Sequence, residues 1–208
     1  MEALRKSWDA LCGRSGLRNG AQLWQELAAR YTEPHRAYHG LQHLEQVVGL
    51  LQSMGASDEL LWAAWFHDAV YRPGRSDNEA ESAALAAECL DRAGLGAETI
   101  ALIRAAILAT ATHRAAPRHA ALLDADLAIL GASPAGYAAY RAAIRREYAA
   151  APPAAFRAER LAFVRATLAR TPIYQTPYCR QRFEATARGN LAAEGAELEA
   201  AAGTASCS

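Results

Sequence analysis

The chain has 208 residues and no formal net charge, because 22 lysine and arginine residues balance 22 aspartate and glutamate residues. A chain of this length can bury a hydrophobic core without disulfide bonds. A neutral chain offers no overall electrostatic attraction to nucleic acid or to an anionic membrane. We therefore expect neither a nucleic-acid polymer nor a membrane as a partner.

Alanine is the dominant residue, with 52 copies, whereas valine and isoleucine together number only 10. Helices favour alanine and leucine, and strands favour β-branched residues, so the composition predicts an all-α fold. The longest apolar run, residues 60–66, is too short to cross a bilayer. Residues 1–6 lack the apolar segment of a signal peptide, and the four cysteines form no CxxC pair. These features are typical of a cytoplasmic protein with free thiols.

Residues that begin and end helices divide the sequence into about nine or ten helical segments. A serine or threonine followed by proline marks two of the helix starts, at Pro134 and Pro177. We find no internal repeat and no linker, and expect one compact domain over residues 1–199 with a disordered tail over 200–208. The predicted helices cover residues 2–12, 20–31, 39–54, 58–68, 78–93, 97–112, 119–130, 134–150, 153–170 and 177–198.

Ionisable side chains interrupt two of the most apolar segments. His67 and Asp68, called the HD pair below, directly follow an apolar run, and Asp124 and Asp126 lie among leucines. Charged groups in such places are costly unless they are paired or bind a metal ion. We therefore expect the HD pair and at least one of the two later aspartates to have partners, and a shared cation would satisfy all of them.

Each of these residues has an ordinary structural alternative. A lone histidine on a helix is more often a satisfied core or surface residue, an alternative that applies to His35 and His119. Asp124 and Asp126 could each lie on an exposed helix face. Because positions 124 and 126 are about 200° apart on a helix, only one of them can face a given site.

The order of His43, the HD pair and Asp126 resembles the HD superfamily of metal-dependent phosphohydrolases, which includes the stringent-response alarmone hydrolases. The separation of 24 positions from His43 to His67 is similar to the spacing between the first histidine and the HD pair in that superfamily. The local sequence agrees, because residues 43–47, 63–68 and 125–127 resemble the segments that surround the superfamily's ligands.

A narrower resemblance, to a bacterial group of predicted HD-domain phosphohydrolases, extends over nearly the whole chain. One departure is Gly40, at a position where the group has asparagine, so any contact that this asparagine makes with a ligand is missing here. The shared segments are Tyr38-His39-x-Leu41-x-His43, Phe66 to Tyr71, Asp77-Asn78-Glu79, Ser82-Ala83, Asp124 to Leu127, Ile129-Leu130-Gly131, Arg145-x-Glu147-Tyr148, Ile173-Tyr174 and Glu184-x-x-Ala187-Arg188-x-Asn190-Leu191.

The resemblance implies an HD-type helical domain with the metal ligands His43, His67, Asp68 and Asp126. Two imidazoles and two carboxylates suit one divalent ion, chosen from Mn²⁺, Fe²⁺, Co²⁺, Ni²⁺, Zn²⁺ and Mg²⁺. The implied reaction is attack of a metal-activated water on phosphorus. The expected substrate is a small phosphorylated compound with a phosphate ester or anhydride, and nucleotides are the first candidates.

Two further histidines are candidates for the site. His113 matches a histidine that related proteins place between the HD pair and the last aspartate. It could hold phosphate, act as an acid, bind a second metal ion, or be satisfied at a helix end; with Asp68, it is a predicted catalytic residue. His39 lies one turn before His43 and would contact the ligands or the substrate rather than the metal.

The segment after the HD pair carries the remaining predicted site residues. Glu79, the third predicted catalytic residue, could orient or deprotonate the attacking water, or serve only to begin a helix. Arg36, Arg72 and Arg75 are the expected phosphate-binding residues, since guanidinium groups form charge-assisted hydrogen bonds with phosphate.

Two other functions are compatible with the sequence. The chain could be a non-catalytic module that uses an HD scaffold to sense a ligand, although such a module would be expected to have lost one of the four ligands. It could also be a di-iron oxygenase, for which His113 and His119 would have to supply the extra ligands. The metal content per chain distinguishes the three functions: one ion, none or two.

Overall fold

Helices make up the regular structure of the chain, as its composition predicts. The structure, a computed structural model, describes residues 2–113 and 116–205, with side chains as far as residue 201. Within these ranges there are ten α-helices, two short 3₁₀ segments and no strand. The predicted all-α class is therefore confirmed. None of the described helices combines the length and the apolar character that crossing a bilayer requires.

Contacts between residues divide the chain into two compact units, Met1–Asp126 and Leu127–Ser208. The single domain expected over residues 1–199 stays a prediction. In the first unit, a 3₁₀ segment, Pro117–His119, precedes the last helix. The helices of the first unit are α1 (Glu2–Ser15), α2 (Gly20–Tyr31), α3 (Leu41–Ser53), α4 (Asp58–Phe66), α5 (Asn78–Arg92), α6 (Ala97–Thr110) and α7 (Ala120–Asp126).

The second unit begins with a 3₁₀ segment, Leu127–Gly131, which is followed by three long helices. The two predicted proline starts lie where the sequence places them. The residue before each proline caps the helix with its hydroxyl oxygen. Ser133 accepts a hydrogen bond from the N–H of Gly136, and Thr176 accepts one from the N–H of Cys179. The three helices are α8 (Pro134–Glu147), α9 (Pro153–Leu168) and α10 (Pro177–Ala205).

All four tryptophans of the chain pack together in the core of the first unit. The ring centroid of Trp8 lies 5.3 Å from that of Trp62 and 5.0 Å from that of Trp65, both edge to face, and 6.1 Å from that of Trp24. Such aromatic pairs contribute about 0.5–1.5 kcal/mol each beyond their buried area. This cluster joins helices α1, α2 and α4, and it fixes the end of α4 at which the HD pair begins.

Helix α4 ends at Phe66, whereas the sequence predicts that it continues to Asp68. The N–H of Ala69 donates to the carbonyl of Phe66 at 3.0 Å, which closes a tight turn in place of another helical turn. On helix α5, the Ser82 hydroxyl accepts from the N–H of Val70 and donates to its carbonyl. The HD pair consequently lies in a turn that these bonds hold outside the helix.

Several other helix ends also differ from the predicted positions, among them those of α7 and α10. The helix expected over 119–130 ends at Asp126, where the backbone changes to a 3₁₀ segment. Helix α10 runs to Ala205 rather than ending at 198, which agrees with the high helix propensity of the alanines in this part of the expected tail. Residues 206–208 of that tail lie outside the described residues.

A buried arginine–glutamate pair lies in the core of the second unit. Arg160 of α9 donates to both carboxylate oxygens of Glu194 on α10, at 2.9 and 3.0 Å. The same guanidinium contacts the hydroxyl groups of Tyr137 and Tyr140 on α8, and Arg141 forms a second ion pair with Glu194. Burial alone would raise the pKa of the Glu194 carboxyl, but the hydrogen bond and charge of Arg160 hold it below its ordinary value. The pair therefore links all three long helices.

Replacing Arg160 by methionine should lower the free energy of unfolding by about 3 kcal/mol, because it leaves the buried Glu194 carboxylate without its main partner. The exposed pair of Arg165 and Glu199 provides the matched control, and Arg165→Met should cost less than about 1 kcal/mol. Urea unfolding measures both. The double variant Arg160→Met/Glu194→Gln should recover part of the loss, and equal effects of the two single variants would contradict the interpretation.

Candidate metal centre

Three segments of the first unit bring the predicted metal ligands together. His43 is the third residue of α3, the HD pair forms the turn after α4, and Asp126 is the last residue of α7. Helices α3, α4 and α7 pack on one another. Helix α3 buries residues 43, 44, 47, 48 and 51, a helical pattern that turns His43 inward with the apolar face.

Four side-chain atoms converge at this point. The Nε2 atom of His43 lies 3.2 Å from Nε2 of His67, 3.5 Å from Oδ2 of Asp68 and 3.2 Å from Oδ1 of Asp126. The Nε2 atom of His67 lies 3.2 Å from the same oxygen of Asp68 and 3.6 Å from that of Asp126. We call these four side chains the His–Asp cluster.

These separations are those of ligands around one metal ion. Ligand atoms about 2.1 Å from a cation are about 3.0 Å apart at an octahedral angle and about 3.4 Å apart at a tetrahedral angle. The five distances that join a histidine to another member of the cluster, 3.2–3.6 Å, are close to this range, and the ligand atoms of His43, His67 and Asp68 all lie within 4.8 Å of one another. The residues present therefore fit a single divalent ion.

The cluster is deeply buried, which makes its polar atoms costly without a partner. His43 and His67 are 2% and 1% exposed, and the side chains of Asp68 and Asp126 are each 16% exposed. The Oδ2 atom of Asp68 is itself buried and accepts no hydrogen bond from any described residue, although His67 lies beside it. A cation at the cluster would satisfy this oxygen.

A hydrogen bond at the Nδ1 atom of His67 fixes the orientation of the ring and therefore of its Nε2 atom. Its Nδ1 atom lies 2.8 Å from the carbonyl oxygen of Ala64. Because a carbonyl can only accept, Nδ1 carries the proton, and the lone pair of the neutral ring is on Nε2, which faces the cluster. Metal-binding histidines are commonly oriented by such a bond to a backbone carbonyl.

The electrostatics of the cluster favour a positive charge. Burial disfavours the imidazolium form of His67, yet the carboxylates of Asp68 and Asp126 raise its pKa well above the ordinary value. The pKa of Asp68 is lowered despite its burial, chiefly by His67, and that of Asp126 is lowered by its hydrogen bonds to His113, His43 and His67. The site thus selects either a proton on His67 or a cation among the four ligands.

His113 contacts the cluster through Asp126. Its Nε2 atom lies 2.8 Å from Oδ2 of Asp126, the oxygen that does not face His43. His113 follows α6 with a φ of 49°, a left-handed conformation that few side chains other than glycine adopt. The structure therefore gives His113 a position from which it orients a predicted ligand.

His39 lies beside the cluster among aromatic rings that the sequence did not assign to the site. Its ring centroid is 5.7 Å from that of His43 and 4.2 Å from that of Tyr71. The ring of Tyr38 lies 4.8 Å from that of His43. Both tyrosines belong to the segments that the chain shares with the HD group. That resemblance is the signal by which the sequence could have identified them as part of the site. His35 is farther out, with Nε2 2.8 Å from the carbonyl oxygen of Tyr71.

Arg36 requires a correction. The sequence predicts that it binds phosphate, but its side chain is fully buried. Its guanidinium donates to the carbonyl oxygens of Asp68, His39 and Ala69 and to the carboxylate of Glu33. Since these partners occupy the guanidinium, Arg36 supports the backbone of the site and does not face a substrate.

The other predicted loop residues lie after the HD pair without joining the cluster. Among the described residues, Arg75 pairs with the carboxylates of Asp77 and Glu81, so its guanidinium is occupied and the predicted phosphate contact is not supported. Arg72 is exposed, and its Nη1 atom lies 3.8 Å from Oε2 of Glu81, a long ion pair. Glu79 is half-buried in the first turn of α5.

Asn78 shapes this loop, a role that the sequence did not indicate. Its side-chain amide accepts from the N–H of Arg72 and donates to the carbonyl of the same residue, each at 3.0 Å. The amide thus closes the loop on the start of α5. Asparagine commonly forms such local bonds, but one sequence does not show which backbone group it will meet.

Asp124 and Gly40 complete the comparison with the prediction. Asp124 is buried, at 1% exposure, rather than lying on an exposed face, and it is not one of the four converging side chains. A Cβ atom at Gly40 would lie 3.1 Å from the carbonyl oxygen of Tyr31, so the asparagine of the HD group would require the neighbouring backbone to shift.

The Asp126→Asn variant should lose the metal ion, whereas Asp124→Asn should retain it. The amide keeps the size of the side chain but removes the negative charge that attracts a cation. Metal content per chain after dialysis against Co²⁺ measures the effect, with circular dichroism as the control for folding. Retention by Asp126→Asn together with loss by Asp124→Asn would reverse the assignment.

The His113→Gln variant should bind the metal about 10- to 100-fold more weakly, because Asp126 loses the partner of its second oxygen. His119→Gln is the control, since His119 is a buried histidine outside the cluster. Competition with a chelator of known affinity measures both variants. Equal losses in the two would indicate a general effect on folding and contradict the orienting role.

No protein-family model, no curated protein and no solved structure matches this chain. The function of the site is therefore inferred from its geometry and from the motif that carries the resemblance.

Proposed function

We propose that the His–Asp cluster binds one divalent cation and that the protein is a metal-dependent phosphohydrolase of the HD superfamily. The observation that carries the proposal is the set of five distances, 3.2–3.6 Å, among the four ligand atoms. The order of these residues in the sequence, which resembles the HD motif, supports the reaction class.

The donor atoms narrow the choice of ion. Two imidazole nitrogens and two carboxylate oxygens suit Mn²⁺, Fe²⁺, Co²⁺, Ni²⁺ and Zn²⁺. Mg²⁺ prefers oxygen ligands and retains much of its water, so it fits the two histidines less well. The cation is therefore expected to come from the first-row transition metals or zinc.

The His–Asp cluster and the two histidines beside it, His39 and His113, would each contribute to the proposed reaction. A divalent cation, when bound, lowers the pKa of a coordinated water and polarises a phosphoryl oxygen. His113 keeps Asp126 turned towards the cluster. His39 is half-buried, with its ring 5.7 Å from that of His43, and an N–H of its imidazole can donate to a phosphoryl oxygen held at the cluster. The cluster's two carboxylates balance the charge of the cation.

A negatively charged substrate needs further positive charge, and Arg72 is the remaining candidate among the three predicted arginines. It lies four residues after Asp68, and its side chain is 57% exposed with one long ion pair. Arg36 is buried under the turn, and Arg75 is held by two carboxylates. Small phosphorylated compounds, with nucleotides first, are therefore the substrates to test.

The decisive experiment combines metal content with a substrate panel. Metal-free protein is reconstituted with each of the five ions, and phosphate release is measured from nucleotides and sugar phosphates. We expect one ion per chain and release that requires the ion and disappears in Asp126→Asn. One bound ion without release from any substrate would contradict the phosphohydrolase, two ions would favour an oxygenase, and no bound ion would overturn the metal centre and favour the ligand-sensing module.

Variants of the loop after the HD pair test the substrate contact. Arg72→Ala should lower kcat/KM by about 10- to 100-fold with unchanged metal content, since one charge-assisted hydrogen bond contributes about 1.5–3 kcal/mol. Glu79→Gln should lower kcat with little change in KM if its carboxylate assists the water. Arg75→Ala is the matched control and should resemble the wild type. Wild-type kinetics in all three variants would remove this loop from the site.

A further inference from the structure

Arg36 lies in the segment between helices α2 and α3, beneath the turn that carries the HD pair. Its Nη1 atom donates to the carbonyl oxygen of Asp68 at 2.7 Å, and its Nη2 atom donates to that of Ala69 at 3.2 Å. The carbonyls that follow the end of a helix have no helical N–H partner. Arg36 supplies donors to this turn from a distant part of the chain.

The same guanidinium also fixes the segment that leads into α3. Nη1 donates a second time, to the carbonyl oxygen of His39 at 2.9 Å, and Nε donates to Glu33 at 3.0 Å. The rings of Tyr31 and Tyr71 lie 5.1 and 5.5 Å from the guanidinium carbon, within the range of cation–π attraction. These contacts bury the charge and hold its plane in one orientation.

We infer that Arg36 is a positioning residue of the metal centre. The planar guanidinium joins the backbone carbonyl of Asp68 to that of His39, which lies four residues before His43. It therefore sets the distance between the turn that carries the HD pair and the start of α3. Lysine cannot replace it fully, because an ammonium group lacks the rigid fork of donors. This inference rests on the metal centre of the proposed function, and it does not depend on the reaction.

The second unit contains a matched control. Arg188 donates through Nη1 to the carbonyl of Leu168, through Nη2 to that of Arg170, and through Nε to Glu184. Arg188 thus caps carbonyls at the end of α9 with the same donor pattern, in a place that holds none of the four ligands. Removal of either arginine costs stability, but only the removal of Arg36 should change metal binding.

The test is titration of the metal-free protein with Co²⁺, whose visible absorption reports the geometry of its ligands. Arg36→Met should bind Co²⁺ about 10- to 100-fold more weakly than the wild type and with an altered spectrum. Arg36→Lys should have an intermediate affinity. Arg188→Met should unfold at a lower temperature but keep the affinity and the spectrum of the wild type.

Different results would contradict the metal centre itself and the role of Arg36 within it. Wild-type protein that binds no Co²⁺ overturns the metal centre and the role of Arg36 with it. Wild-type binding combined with unchanged affinity and spectrum in Arg36→Met overturns the role of Arg36 alone. If Arg36→Met does not fold, Arg36→Lys decides: a weaker affinity with an altered spectrum supports the role, and wild-type values overturn it.

Discussion

Two aspartates meet two histidines inside the first unit, where Nε2 of each histidine lies 3.2–3.6 Å from an oxygen of each aspartate, and the surrounding structure keeps them there. Isolated buried carboxylates are unstable unless positive charge compensates them. The cluster draws its side chains from three segments, and each segment has its own support: an apolar helix face for His43, the Arg36 guanidinium for Asp68, and the His113 imidazole for Asp126.

The sequence was sufficient to predict the helical class and to name the four side chains that the structure brings together, while their role as metal ligands stays a prediction. Alanine content predicts helices because it acts through local propensity, and the proline at the start of α8 acts locally as well. The choice of Asp126 over Asp124 came from the resemblance, since helical periodicity shows only that the two face different ways.

Two of the errors share a physical origin, which is contact between residues far apart in the chain. Arg36 looked like a free cation because nothing in the sequence shows that the carbonyls of Asp68 and Ala69 would reach it. The end of α4 at Phe66 depends on Ser82, which belongs to another helix. Several residues shared with the HD group prove to be structural, such as Glu184, which accepts from the N–H groups of Ile173 and Tyr174 in the second unit.

The tryptophan cluster provides an intrinsic fluorescence signal that is specific to one of the two units. All four tryptophans lie within residues 1–126, so emission excited at the red edge of indole absorption comes from the unit that carries the His–Asp cluster, and the other unit is dark. Helical circular dichroism, in contrast, records both units. Two unfolding curves that coincide would mean that the units melt as one cooperative body, and curves that separate would give the stability of the unit with the His–Asp cluster by itself.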